Sequence, residues 1–193
     1  MSDEIPLVNC GAPKVQPVAF QKKEGDRYVL VITNDSTVFT TKRWVSAEEM
    51  FGGRLTEVKN LVQSLTEISN VSFGIISGKY GFIPANYVIM PYDNVPECKE
   101  DYEELQERTD YAEKIRYVCQ NFFDRIIVCV PKDMFAMFVE ADQIDDGKLI
   151  AVTNPCFKDV CEKKGWTFLE RKGARVGNEN ADEIERLIRE LCA

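Results

Sequence analysis

The sequence contains no histidine among its 193 residues. This absence excludes the most common general base of enzymes, the serine–histidine and cysteine–histidine pairs, and every metal site that needs an imidazole ligand. The cysteines do not replace it, because Cys156 and Cys161 have no second cysteine pair nearby and zinc needs about four nitrogen or sulfur ligands. We therefore expect no metal and no cofactor. Any chemistry must use Lys, Tyr, Asp, Glu, Ser or Cys side chains.

The sequence also lacks an excess of positive charge and lacks long apolar runs. Its 24 Lys and Arg residues against 32 Asp and Glu residues give a net charge of -8, which argues against duplex DNA binding but permits a local basic cleft. Apolar runs are too short to cross a bilayer. The start MSDEIPLVNC has neither part of a secretion signal, and seven cysteines are typical of reduced thiols. These features predict a cytoplasmic protein without a membrane segment.

The pattern of apolar segments predicts the fold. Residues 1–26 indicate an extended N-terminal arm, and residues 27–193 indicate a single α/β domain. Five buried strands are predicted at 28–32, 71–77, 125–130, 148–154 and 166–171. Segments with helical periodicity separate them, one beginning at the capping box SAEE (46–49). Strands that are apolar on both faces and alternate with helices predict a three-layer α/β fold: a mainly parallel sheet of about five strands with helices on both faces.

Polar segments follow three of the predicted strands: TNDST (33–37), SGKYG (77–81) and TNPC (153–156). Ligands bind beyond the carboxyl ends of the strands in such sheets. Glycine permits close backbone approach, lysine supplies a positive charge, tyrosine offers a flat face, and aspartate accepts N–H groups or acts as a base. The candidate ligand-binding residues are Asn34, Asp35, Ser77, Lys79, Tyr80, Gly81, Tyr92 and Asp93, of which Lys79 and Asp93 are also the catalytic candidates.

Residue chemistry alone leaves two interpretations of residues 77–93. The segment matches neither the phosphate-binding loop GxxxxGK[ST] nor the SxxK motif of serine–lysine hydrolases. It is either a binding loop or a long connection whose tyrosines and prolines pack over the sheet edge.

A resemblance favours the first interpretation. SGKYGFIPANYVIMPYD (77–93) resembles the S-A-K-Y-G-L…P…I-x-P-Y-D signature of an uncharacterised α/β family of bacteria and archaea. More distantly, it is similar to the LYGLLRP…PYR segment of the YaaA-type peroxide-stress proteins. The resemblance runs through residues 28–140, and its specific part is 77–93. Two departures stand out: Gly78 replaces the usual Ala, and TNDST replaces a Cys-Ser-Lys-Lys-like loop. The DNA-binding helical element of the YaaA-type proteins is not found in this sequence, so DNA binding is not carried over.

The resemblance implies a pocket bordered by residues 77–93 that binds a nucleobase- or nucleotide-like ligand, and a role in stress response. Tyr80 or Tyr92 would stack on the base, Asp93 would bind its edge, and Lys79 would face a phosphate or ribose. Whether the ligand is turned over stays open.

Two alternatives come from other segments. The acidic stretch 97–113 predicts a charged helix that would serve a non-catalytic protein-interaction module. Cys156, after a strand and at a predicted helix start, would suit thiol chemistry.

Overall fold

The sheet contains six strands, five of them parallel. A computed structural model describes residues 27–142 and 144–193; the predicted arm at 1–26 lies outside them. The strands are β1 (Tyr28–Asn34), β2 (Val45–Ser46), β3 (Asn70–Ser77), β4 (Gly81–Pro84), β5 (Val88–Ile89), β6 (Arg125–Cys129), β7 (Leu149–Thr153) and β8 (Thr167–Glu170). The order in the large sheet is β4-β3-β1-β6-β7-β8, while β2 and β5 form a separate antiparallel pair.

The helices connect these strands. They are α1 (Ala47–Met50), α2 (Leu55–Thr66), α3 (Lys99–Thr109), α4 (Tyr111–Cys119), α5 (Lys132–Glu140), α6 (Lys158–Lys163) and α7 (Asn178–Cys192), with a 3-10 turn at Pro155–Phe157. The predicted capping box is present: Glu49 N–H donates to Ser46 Oγ, and Ser46 N–H donates back to the Glu49 carboxylate.

Strand β1 lies at the centre of the sheet and pairs in parallel with β3 and β6. Its side chains alternate between two hydrophobic clusters, as the period of a strand requires. Leu30 and Ile32 pack in one cluster with residues of α3, α4, α5 and α6. Val29 and Val31 pack in the other cluster with residues of α1, α2 and α7. The α/β fold with a mainly parallel sheet is confirmed, while the placement of helices on both faces stays a prediction that the two clusters support.

The chain order of the parallel strands reverses between β1 and β6. The connection that follows β1 leads to β3 on one side, and the later strands β6, β7 and β8 extend on the other side. A crevice forms beyond the carboxyl ends of the strands at such a reversal, and open α/β sheets bind their ligands there.

The sheet departs from the prediction by one strand. Residues 81–84 were expected in a loop, but they form β4, which pairs antiparallel with β3 through Ser77↔Gly81 and Gly74↔Pro84. Gly81 has φ 71°, which lets the chain turn back at once. The proline at the end of β4 is tolerated because β4 is an edge strand.

The prediction of one continuous acidic helix at 97–113 is wrong. The segment is divided into α3 and α4 by Asp110, which has φ 50°. A left-handed residue cannot continue a helix. In the part of the chain that the structure describes, no helix is long and apolar enough to cross a membrane.

Candidate functional site

The Asp35 carboxylate lies at the carboxyl edge of the sheet and ties residues 77–93 to the end of β1. Its Oδ2 accepts a hydrogen bond from Gly78 N–H at 2.7 Å and from the Tyr92 hydroxyl at 2.5 Å. The Tyr92 hydroxyl also lies 2.8 Å from Ser77 Oγ. We call Asp35, Ser77, Gly78 and Tyr92 the Asp35 network. These hydrogen bonds join residues that lie far apart in the chain.

Burial controls the ionisation of this network. Asp35 is 2% exposed, and the loss of solvation raises its pKa from 3.8 to about 6, although the bonds from Tyr92 and Gly78 favour the charged form. The pKa of Tyr92 is raised far above its ordinary value, first by burial and then by the Asp35 charge. The Tyr92 hydroxyl therefore keeps its proton, which it donates to the Asp35 carboxylate.

The turn at residues 77–81 is held from both sides. Ser77 Oγ accepts from the backbone N–H groups of Lys79 and Tyr80 at 3.3 and 3.2 Å. On the other side, the Arg108 guanidinium of α3 donates to the carbonyl oxygens of Lys79 at 3.0 Å and Gly78 at 2.5 Å. The turn is thereby fixed relative to both β3 and α3.

Gly78 is the residue at which the resemblance expects alanine. A Cβ atom there would lie 2.3 Å from Cδ of Pro96 and 3.2 Å from the Asp35 carboxylate. Because the first distance is well inside van der Waals contact, the present packing of Pro96 requires glycine.

Aromatic rings hold Tyr92 from the opposite side. Its ring makes edge-to-face contacts with Phe39, Phe51 and Tyr80, with centroid distances of 5.2, 6.3 and 6.0 Å. Such arrangements stabilise aromatic pairs beyond simple burial. The half-buried Tyr92 ring is thus fixed both at its hydroxyl and at its edges.

Two clefts meet at residues 93–97. The first, the aromatic cleft, has a volume of about 730 Å³ and is lined by residues 37, 39–42, 91–95 and 97, which include Phe39, Lys42, Tyr92 and Asp93. The second, the acidic cleft, has a volume of about 530 Å³ and is lined by residues 78, 79, 93–97, 101, 104, 105 and 108. Asp93 and Asn94 border both clefts, and a small ligand would fit in either.

The predicted site residues differ in exposure, and Tyr80 and Tyr92 are half-buried. Asn34, Asp35, Ser77 and Gly81 are buried. Lys79 and Asp93 are exposed and line the acidic cleft together, whereas Tyr92 and Asp93 line the aromatic cleft.

Five of the predicted residues line neither of these clefts: Asn34, Asp35, Ser77, Tyr80 and Gly81. Asn34 binds within the protein: its Oδ1 accepts from Arg175 at 3.1 Å, and its amide donates to the Asp35 carbonyl at 3.3 Å. Tyr80 packs against Tyr87 and Tyr92, and its hydroxyl accepts from Met90 N–H at 3.4 Å. The Lys79 ammonium lies 5.4 Å from the Tyr80 ring centroid.

Sequence reasoning missed several residues of this edge, above all Arg108 and Arg175. Arg175 is buried and donates to oxygen atoms at the end of β1. It follows the last strand, so the rule that pointed to residues 33–37 and 77–81 also applied to it. Phe39 and Lys42 carried no comparable signal, since their position depends on how the loop after β1 folds back.

The cysteines fall into two kinds. Cys119 and Cys129 are buried in the core, and burial raises the pKa of each thiol to about 12. Cys156 is exposed in the 3-10 turn, where its N–H donates to Asn154 Oδ1 at 3.0 Å. Its thiol chemistry stays a prediction. Within residues 27–142 and 144–193, no group of three or more Cys, Asp or Glu side chains is placed to hold a metal ion.

Comparison of the chain with protein-family models, with curated proteins and with solved structures gave no match. The resemblance of residues 77–93 to the YaaA-type proteins therefore stays a prediction.

Proposed function

We propose that the protein binds a nucleobase-like ligand in the aromatic cleft. The observation that carries this proposal is the position of Tyr92: its half-buried ring lines a cleft of about 730 Å³ together with Phe39, while its hydroxyl is held by Asp35. A flat ring that is already immobilised loses little freedom when a second flat ring stacks on it.

Stacking supplies affinity without a basic surface. A base stacked on an aromatic side chain contributes about 1–3 kcal/mol. This fits a protein of net charge -8 better than recognition of a nucleic-acid backbone, which depends on many Lys and Arg contacts.

Polar groups at the rim can bind the edge of the base. The exposed Asp93 carboxylate accepts N–H groups, and the neighbouring Asn94 offers both a donor and an acceptor. Lys42 lines the same cleft and can face a ribose hydroxyl or a phosphate. Lys79, expected in that role, lies in the acidic cleft on the other side of Asp93.

The experiment is a thermal-shift and calorimetric screen of nucleobases and nucleosides against the full chain. We expect a ligand that raises Tm, and we expect Asp93→Asn to weaken its binding about tenfold, because a charge-assisted hydrogen bond contributes about 1.5–3 kcal/mol. The matched control is Asp182→Asn, an exposed aspartate on α7. If no base or nucleoside binds, or if both variants bind equally, the proposal is wrong.

The exposed acidic face of α3 supports a second candidate, a protein-interaction module. Glu103, Glu104 and Glu107 are all exposed on this helix. Reversal of all three charges to lysine should remove a bound basic partner in a pull-down from lysate. An unchanged set of partners would mean that this face is only solvated surface.

A further inference from the structure

We propose that Arg54, Arg171 and Arg175, the arginine cluster, form a binding site for a phosphate-like oxyanion at the carboxyl edge of the sheet. This site is separate from the aromatic cleft and does not depend on the proposed function.

Two of the three guanidinium groups donate to adjacent carbonyls of one short segment. Arg54 Nη1 donates to the carbonyl of Gly173 at 2.9 Å, and Arg171 Nε donates to the carbonyl of Ala174 at 3.1 Å. Arg175 follows directly in the chain.

Arg171 and Arg175 also bind the two strands between which the strand order reverses. Arg175 Nη1 donates to Thr33 Oγ1 at 3.0 Å, and its Nη2 donates to the Asp35 carbonyl at 2.5 Å, at the end of β1. Arg171 Nη1 donates to the Val130 carbonyl at 2.7 Å, just after β6. The cluster therefore lies at the place where open α/β sheets bind their ligands.

Among residues 27–142 and 144–193, these charges have no carboxylate partner at contact distance. The ion pairs within the described part of the chain include none of the three arginines. Two more distant carboxylates, Asp35 and Glu57, interact electrostatically with the cluster. Both already accept hydrogen bonds from other groups: Asp35 from Gly78 and Tyr92, and Glu57 from Val176 N–H at 3.2 Å. The oxygen atoms to which the three arginines donate are all neutral carbonyl, hydroxyl or amide oxygens.

The cluster is electrostatically unfavourable as it stands. Burial, followed by repulsion from Arg171, lowers the pKa of Arg175 to about 10. Burial also lowers the pKa of Arg171, and Arg54 adds to the effect. A buried charge without a counter-charge in contact is costly, and a bound dianion would relieve this cost at Arg171 and Arg175.

The arrangement is open to solvent on one side. Arg175 is buried, Arg171 is half-buried and Arg54 is exposed. Beside them, a Cβ atom added at Gly173 would meet no heavy atom within 4 Å, so there is space next to the Arg54 contact. Guanidinium groups bind oxyanions through paired N–H donors, and three of them suit a tetrahedral dianion better than a single carboxylate.

The test uses the full chain and inorganic phosphate as the probe. Binding is measured by calorimetry, and Tm is measured in phosphate, sulfate and acetate, each compared with potassium chloride at equal ionic strength. We expect phosphate and sulfate to raise Tm above the chloride value and acetate to leave it unchanged. Arg54→Gln should weaken phosphate binding about tenfold, whereas the matched control Arg189→Gln, on the exposed face of α7, should not.

Arg54 is the informative position because its side chain is exposed, so the variant should fold. Arg54→Lys, which keeps the charge but loses the paired donors, should fall between wild type and Arg54→Gln. Asp93→Asn should retain the phosphate response, which separates this site from the aromatic cleft. The proposal is overturned by equal Tm in phosphate and chloride, by an acetate response as large as that of phosphate, or by equal phosphate affinity in Arg54→Gln and Arg189→Gln.

Discussion

Asp35 and Asp93 are two aspartates next to Tyr92, one by a hydrogen bond and one in the chain, and their surroundings differ. Asp35 is buried, and its carboxylate already binds Tyr92 and Gly78. Asp93 is exposed at the border of two clefts. The sequence predicts both aspartates as ligand-binding residues. In the structure, only Asp93 is exposed to a small molecule.

The buried Asp35 therefore positions the backbone of the site, whereas the exposed Asp93 is available to recognise a ligand. A buried polar group that is satisfied by the protein holds the backbone in place, and its removal leaves its partners without hydrogen bonds. An exposed polar group at a cleft contributes little to folding and stays available to a ligand. The comparison predicts opposite consequences for substitutions at these two aspartates.

The largest expected effect is that of Asp35→Ala on stability. Gly78 N–H and the Tyr92 hydroxyl lose their buried acceptor, so we expect the free energy of unfolding at pH 7 to fall by about 2 kcal/mol. Asp35→Asn keeps an acceptor oxygen without a buried charge and should lose less. Urea titration followed by circular dichroism measures both. A loss in Asp35→Ala no greater than in Asp93→Ala would remove the distinction between the two residues.

The second effect is a pH dependence specific to Asp35. Burial raises its pKa from 3.8 to about 6, so between these values the folded protein binds a proton that the unfolded chain releases. The stabilising contribution of this proton is complete below about pH 3.8 and is lost as the pH rises through 6. The slope is at most about 1.4 kcal/mol per pH unit for one proton.

The measurement compares the free energies of unfolding of the wild type and Asp35→Asn from pH 4 to pH 7.5. The stability of the wild type relative to the variant should increase as the pH falls. A difference that stays constant, or one that changes in the opposite direction, would contradict the assignment of the raised pKa to Asp35.

The third effect concerns the Tyr92 hydroxyl. Tyr92→Phe keeps the ring in its aromatic contacts but removes the bonds to Asp35 and Ser77, so we expect a loss of about 1 kcal/mol. Tyr80→Phe is the control, because the hydroxyl of Tyr80 accepts a long bond of 3.4 Å from Met90 N–H. A double-mutant cycle with Ser77→Ala should show coupling. Additive losses would mean that the Asp35 network does not act as a unit.

The sequence was sufficient for the parallel strands and insufficient for the polar contacts, for physical reasons. Buried runs such as 28–32 are recognisable because β-branched and apolar residues mark strands locally. Strand β4 and the helix break at Asp110 were not predicted, because each depends on one residue in a left-handed conformation. The burial of Asp35 depends on contacts with residues 43 and 57 positions away in the chain, and that of Arg175 depends on contacts with residues about 140 positions away. No local pattern encodes such distances.

The smallest effect on stability is expected at the exposed residues, and it completes the comparison. Asp93→Asn and Lys79→Gln alter exposed side chains, so the free energy of unfolding should change by no more than about 0.5 kcal/mol. The same urea titrations measure it, with Asp182→Asn as the reference for an exposed aspartate elsewhere. If Asp93→Asn destabilises the protein as much as Asp35→Ala, then Asp93 also holds the fold together. The cleft would then lose its most accessible recognition group, because a residue that the fold requires is not free to turn toward a ligand.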